Sequence, residues 1–111
     1  MLIDTHCHLD DERYTDDIEQ VLENAKRKGV EKFIIPGADP KTLQRAVDLA
    51  EMYDSVYFSV GVHPYDAHNY DRTYLESFVN HPKCVAIGEC GLDYFRLPES
   101  ESEIEAEKRV Q

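Results

Sequence analysis

The sequence has no tryptophan, and in 111 residues it has only three cysteines, five glycines and five prolines. Cys7, Cys84 and Cys90 cannot all pair with one another and none forms a CxxC. A disulfide framework is therefore not expected, and a reducing compartment, the cytoplasm, is. Basic residues are scarce: 12 Lys and Arg stand against 23 Asp and Glu, a net charge of −11. Bulk electrostatic affinity for nucleic acid is disfavoured, which leaves room for a nuclease whose metal ions neutralise phosphate locally. No apolar run approaches the ~18 residues of a membrane span. The opening Met-Leu-Ile-Asp has neither the basic nor the apolar region of a signal peptide, so no membrane association is expected. No Walker loop or GxGxxG follows any apolar run, which argues against nucleotide-fold hydrolysis and hydride transfer. No linker or low-complexity segment divides the chain, so one domain is expected. The densest acidic stretch, ESESEIEAE from Glu99 to Glu107, reads as the solvated start of a helix.

What is present alternates. Four short apolar runs, Met1–Ile3, Lys32–Ile35, Val56–Val62 and Cys84–Ile87, are mostly β-branched or aromatic and are closed by Gly, Pro or polar residues. They read as strands. Between them lie helices. Thr15 is the expected N-cap of the first, with Ile18, Val21, Leu22 and Ala25 at helical spacing and Gly29 after the basic last turn. Asp39-Pro40 opens the second, whose apolar stripe is Leu43, Ala46, Val47 and Ala50. A third is expected over Arg72–Asn80 with Leu75, Phe78 and Val79 inward, and a fourth from near Ser100. This order predicts a parallel sheet covered by helices. It fits either a small doubly wound sheet or half of a (β/α)8 barrel.

The chemistry gathers where strands end. In IDTHCHLD, alternation along an extended chain puts Asp4, His6 and His8 on one face and Cys7 on the other. Two imidazoles so spaced can converge on one or two cations. Asp4 can orient one of them, and Cys7 is left to pack under a helix. The other runs end in PGA, GVHP and GECGLDY, so His63 and Glu89 join the histidines at the C-terminal mouth of the sheet, where α/β proteins bind ligands. A buried carboxylate at Glu89 needs a cation partner. It reads as a carboxylate bridging two metal ions, against the alternative of a solvated loop acid. His63 is expected to contact substrate phosphate or to support a metal ligand. Asp93 is expected to bind a metal-ligand histidine or cap the next loop, and Arg96 to meet an anion. His68 and His81 are expected at the surface. No Cys/His pairing suggests a cysteine nucleophile.

LIDTHCHLD, PGADP, GVHP and GECGLDYFR, in this order, resemble the TatD family of metal-dependent deoxyribonucleases, which have amidohydrolase-like (β/α)8 barrels. The resemblance runs from Leu2 to about Gln111. It implies that His6 and His8 are the first metal-ligand pair, that Glu89 is the carboxylate shared by the metals, and that His63 is a catalytic histidine of the mouth. It further implies Mg2+, Mn2+ or Zn2+ as cofactor and DNA phosphodiesters as substrate. Two more histidines and an aspartate that handles the nucleophilic water are implied on later strands that this sequence does not contain. The expectation is the N-terminal half of such a barrel, ending in the fourth helix, with impaired hydrolysis. Two alternatives remain: a non-catalytic half-barrel that self-associates through its open edges, and another metal-dependent phosphoesterase such as the PHP type, which also opens with HxH.

Overall fold

In the computed structural model, which describes residues 1–111, four strands and four helices alternate. They are β1 (Leu2–Asp4), α1 (Ile18–Arg27), β2 (Val30–Ile35), α2 (Pro40–Met52), β3 (Val56–Val60), α3 (Arg72–Val79), β4 (Cys84–Ile87) and α4 (Glu101–Val110). Short 3-10 turns lie at Glu12–Tyr14 and Pro64–Asn69.

Local chemistry sets most boundaries. The Asp39 carboxylate accepts from the Lys41 N–H ahead of Pro40, and Asp71 caps α3 by accepting from Tyr74. Gly29, at φ 91°, supplies the left-handed turn between α1 and β2. The expected cap at Thr15 is not used. Its hydroxyl donates to the Glu12 carbonyl at 2.7 Å, closing the first 3-10 turn, and α1 starts three residues later behind Asp17. β3 stops at Val60, two residues short of the expected end, and beyond it the Val62 N–H donates to the Glu89 carbonyl at 3.1 Å, outside the regular ladder.

All strand pairs are parallel and the sheet order is β1-β2-β3-β4. A doubly wound sheet would reverse direction at a switch point. Here the order never reverses, and the sheet is an arc of a barrel. Phe33, Ile35, Val56, Phe58 and Val60 turn outward onto Leu22, Leu43, Ala46, Val47, Ala50 and Leu75 of the covering helices. Phe78 packs against this core as expected, but Val79 is 40% exposed. α4 buries no residue. The outer strands are bare by comparison: Leu2, Ile3, Val85 and Ile87 are all exposed, since β1 and β4 each lack a neighbour on one side.

Candidate metal centre

The first wall of the site is the chain leaving β1. The Asp4 carboxylate accepts from the His6 N–H at 3.1 Å, turning the backbone out of the strand. The Cys7 N–H still reaches the Ile34 carbonyl at 3.2 Å, so contact with β2 continues through this stretch. Alternation then does what the sequence implied. Cys7 packs against the core, and burial pushes its thiol up to about 12, well out of the reactive range. The flanking His6 and His8 project the other way, edge to face, with ring centroids 5.1 Å apart. Leu9 and Asp10 dive back under the surface. The Thr42 hydroxyl of α2 donates to Asp10 Oδ2 at 2.6 Å, which pins the histidine-bearing loop to the helix behind it. Beside the histidines lies an open groove of about 580 Å³, lined among others by Asp10, Arg13, Tyr14 and Asp39.

The second wall is the chain leaving β4, and it is held by backbone. The Gly88 N–H donates to the Val60 carbonyl at 2.9 Å, the Gly37 N–H to the Gly88 carbonyl at 3.1 Å, and the Glu89 N–H to the Gly37 carbonyl at 2.8 Å. The Glu89 carbonyl accepts from Val62 at 3.1 Å. Such closeness requires glycine. A Cβ on Gly61 would lie 2.3 Å from the Glu89 carbonyl oxygen, and one on Gly37 would lie 2.4 Å from the Gly61 nitrogen. The small residues that close the second and third apolar runs are therefore what lets Glu89 enter the mouth.

The two walls meet. His6 Nε2 is 3.8 Å from Glu89 Oε1, and one donor atom from each of His6, His8 and Glu89 lies within 4.8 Å of the others. Two imidazole nitrogens and a carboxylate oxygen form a donor set suited to a divalent transition ion. His6 is more than half exposed, so a cation has a solvent path to it.

His63 is not among these three. Its Nδ1 accepts from the Tyr65 N–H at 3.2 Å, and its Nε2 faces Asp93 Oδ2 at 3.6 Å. In its neutral form, this hydrogen-bonding pattern assigns the proton to Nε2, aimed at the carboxylate. Asp93 caps its loop through the Phe95 N–H at 2.9 Å, and the histidine it faces is His63, which is not one of the three convergent donors. The Phe95 N–H first, and then the Tyr65 hydroxyl, hold the Asp93 carboxyl below the usual carboxylate range. Tyr65 links the cluster: its hydroxyl donates to Asp93 Oδ1 at 3.0 Å and accepts from the Arg96 N–H at 2.9 Å. Arg96 itself is exposed on this loop. His68 is at the surface as expected. His81 is more enclosed than expected, with its ring 5.3 Å from Phe58 and its Nε2 3.2 Å from Glu51 Oε1.

Residues 3–110 match the family model described as TatD related DNase. The chain belongs to the TatD family. It is 44% identical over 97 residues to the uncharacterized metal-dependent hydrolase YabD of Bacillus subtilis (strain 168), an alignment covering 85% of this chain and 38% of YabD. It is 34% identical over 99 residues to the 3'-5' ssDNA/RNA exonuclease TatD of Edwardsiella piscicida, covering 86% of this chain and 38% of that protein. The crystal structure of YjjV, a TatD homolog from Escherichia coli K12, superposes with a TM-score of 0.78 at 32% identity, covering 98% of this chain and 43% of YjjV. The chain thus spans about two fifths of the length of these relatives, and its four strands correspond to a half-barrel of the (β/α)8 fold. No helix is long and apolar enough to cross a membrane.

The sequence reading assigned no role to Asp10, Thr42, Ser59 or Tyr65. The glycines at the strand ends did signal a close backbone approach, but nothing in the sequence says which strand each glycine meets.

Proposed function

We propose that this chain forms one wall of a divalent-metal-dependent phosphodiesterase site acting on DNA, with His6, His8 and Glu89 as the metal ligands. The observation that carries the reading is the convergence of these three side chains from opposite edges of the sheet, with donor atoms within 4.8 Å. When bound, one or two cations such as Mg2+, Mn2+ or Zn2+ would polarise phosphate oxygens and lower the pKa of a bound water. The chain's own residues do the rest. Glu89 presents the carboxylate that can be shared between two ions. Asp4 fixes the backbone from which His6 projects. His63, held by Tyr65 and Asp93, lines the mouth that substrate phosphate would enter, and Arg96 offers an exposed cation on the loop that Asp93 caps. With a net charge of −11, a bound metal is what allows a polyanion to approach. The unpaired state of Cys7, Cys84 and Cys90 fits the reducing cytoplasm.

Calorimetric titration of the chain with Mn2+, followed by hydrolysis of a single-stranded DNA oligonucleotide with and without EDTA, tests the reading. Saturable Mn2+ binding that is lost in His6→Ala supports it, and absence of binding in the parent chain overturns it. Hydrolysis is expected to be weak, because three protein donors leave a metal without the aspartate that the family resemblance places on a later strand.

A second reading is favoured by a separate observation, the unpaired edges of β1 and β4 with Leu2, Ile3, Val85 and Ile87 exposed. An open edge of this kind is a template for pairing with another chain. Self-association of the half-barrel would appear in sedimentation velocity as a concentration-dependent rise in mass. A monomer at all concentrations would remove it.

A further inference from the structure

Only two polar or charged residues of the chain are buried, Asp10 and Ser59, each 6% exposed. Asp10 anchors the wall that carries His6 and His8. Ser59 lies beneath the wall that carries Glu89. It sits on β3 between Phe58 and Val60, whose side chains face the helices, so alternation turns Ser59 to the inner face of the arc. Its hydroxyl accepts from the Gly37 N–H at 3.0 Å and donates to the Gly88 carbonyl at 2.8 Å. Gly37 in turn accepts from the Glu89 N–H at 2.8 Å. One hydroxyl on β3 therefore joins the segments leaving β2 and β4, one residue before the Glu89 carboxylate emerges.

We propose that Ser59 is a positioning residue that sets the Glu89 carboxylate against His6 and His8 by clasping Gly88 and Gly37. The inference rests on the reading of His6, His8 and Glu89 as metal ligands, and extends it to a side chain that touches none of the three. Packing alone would be satisfied by alanine at this position. The hydroxyl instead finds both a donor and an acceptor: Gly88 directly precedes Glu89 in the chain, and Gly37 accepts from the Glu89 N–H. Gly37 and Gly88 also bond each other directly at 3.1 Å. Loss of the hydroxyl should therefore loosen the node without dismantling it, and the effect should be local.

The test compares the chain with Ser59→Ala by three measurements: Mn2+ affinity by calorimetry, the thermal midpoint in EDTA, and hydrogen exchange of the Glu89 and Gly37 amides against that of Leu49 in α2. Expected in the variant are an Mn2+ affinity about tenfold weaker, as for loss of a contact that orients a ligand, and faster exchange at Glu89 and Gly37. Leu49 exchange should be unchanged. Unchanged Mn2+ affinity with a lowered midpoint would reduce Ser59 to a packing residue and overturn the proposal, as would unchanged Glu89 exchange. If the parent chain binds no Mn2+, the metal reading fails. Glu89 exchange then still decides whether Ser59 holds that segment.

Discussion

The inner strands, β2 and β3, and the outer strands, β1 and β4, differ in almost every physical respect. Ile35, Val56 and Phe58 on the inner pair have no exposed surface, whereas Leu2 and Ile87 on the outer pair are 60% and 65% exposed. Yet the candidate metal ligands leave the outer pair: His6 and His8 follow β1, and Glu89 follows β4. The inner pair contributes the support, Gly37 and Ser59 at the node under Glu89 and Gly61 pressed against it. Cohesion and chemistry are thus separated. The middle of the arc is held by apolar burial, and its rims carry polar groups that a cation can draw together.

The comparison breaks first if the inner strands do not carry the stability. Phe58→Ala removes a fully buried ring and should cost about 3–5 kcal/mol, read from urea denaturation, against a small effect of Ile87→Ala. Equal losses would mean the rims matter as much as the middle. Next, Glu89→Gln should weaken Mn2+ binding by more than the roughly hundredfold cost of losing a supporting contact, while stability stays within about 0.5 kcal/mol. Gly61→Ala sharpens the point from the other side. It keeps all three ligand residues but forces the Glu89 backbone away, and should reduce Mn2+ affinity by roughly ten- to a hundredfold with the circular dichroism spectrum retained. Ile87→Lys places a charge on the outer strand. If open edges drive association, it should lower the sedimentation mass at high concentration and leave the fold intact.

The smallest expected effect concerns pH. Asp93 is held below the usual carboxylate range by the Phe95 N–H and the Tyr65 hydroxyl. A depressed folded pKa means that its contribution is complete above the unfolded value of about 3.9. The contribution is lost only as pH falls through the lower folded value. The Phe95 amide resonance should therefore titrate with a midpoint below the ordinary aspartate value. A midpoint at or above it would show that the loop carrying Arg96 is not held by this carboxylate.

Much of this was legible in the residues. Asp39-Pro40 is its own cap, and α2 begins there. Alternation through His6, Cys7 and His8 assigned one cysteine to the core and two rings to the mouth, as found, although the regular strand ends at Asp4. Thr15 misled because a threonine hydroxyl serves a preceding carbonyl as readily as a helix N-terminus. Val79 misled because helical spacing names a face without saying how far the neighbouring strand extends to cover it. His63 could be placed at the mouth but not assigned a partner, since its engagement with Asp93 spans thirty positions of sequence.

The sequence by itself determined the alternation of strands and helices, the capping of α2, and the mouth as the place where polar residues gather. These follow from short-range rules of period, capping and backbone freedom, which act within a few residues. Only the tertiary structure decided that the sheet runs in order as an arc, that the donor atoms of His6, His8 and Glu89 come within 4.8 Å of one another while His63 faces Asp93, and that Ser59, Gly37 and Gly61 form the support beneath Glu89. Each of these depends on the curvature of the sheet, which brings together groups from different strands at distances of a few ångströms. Curvature is a property of all four strands packed on their helices, and no single segment encodes it.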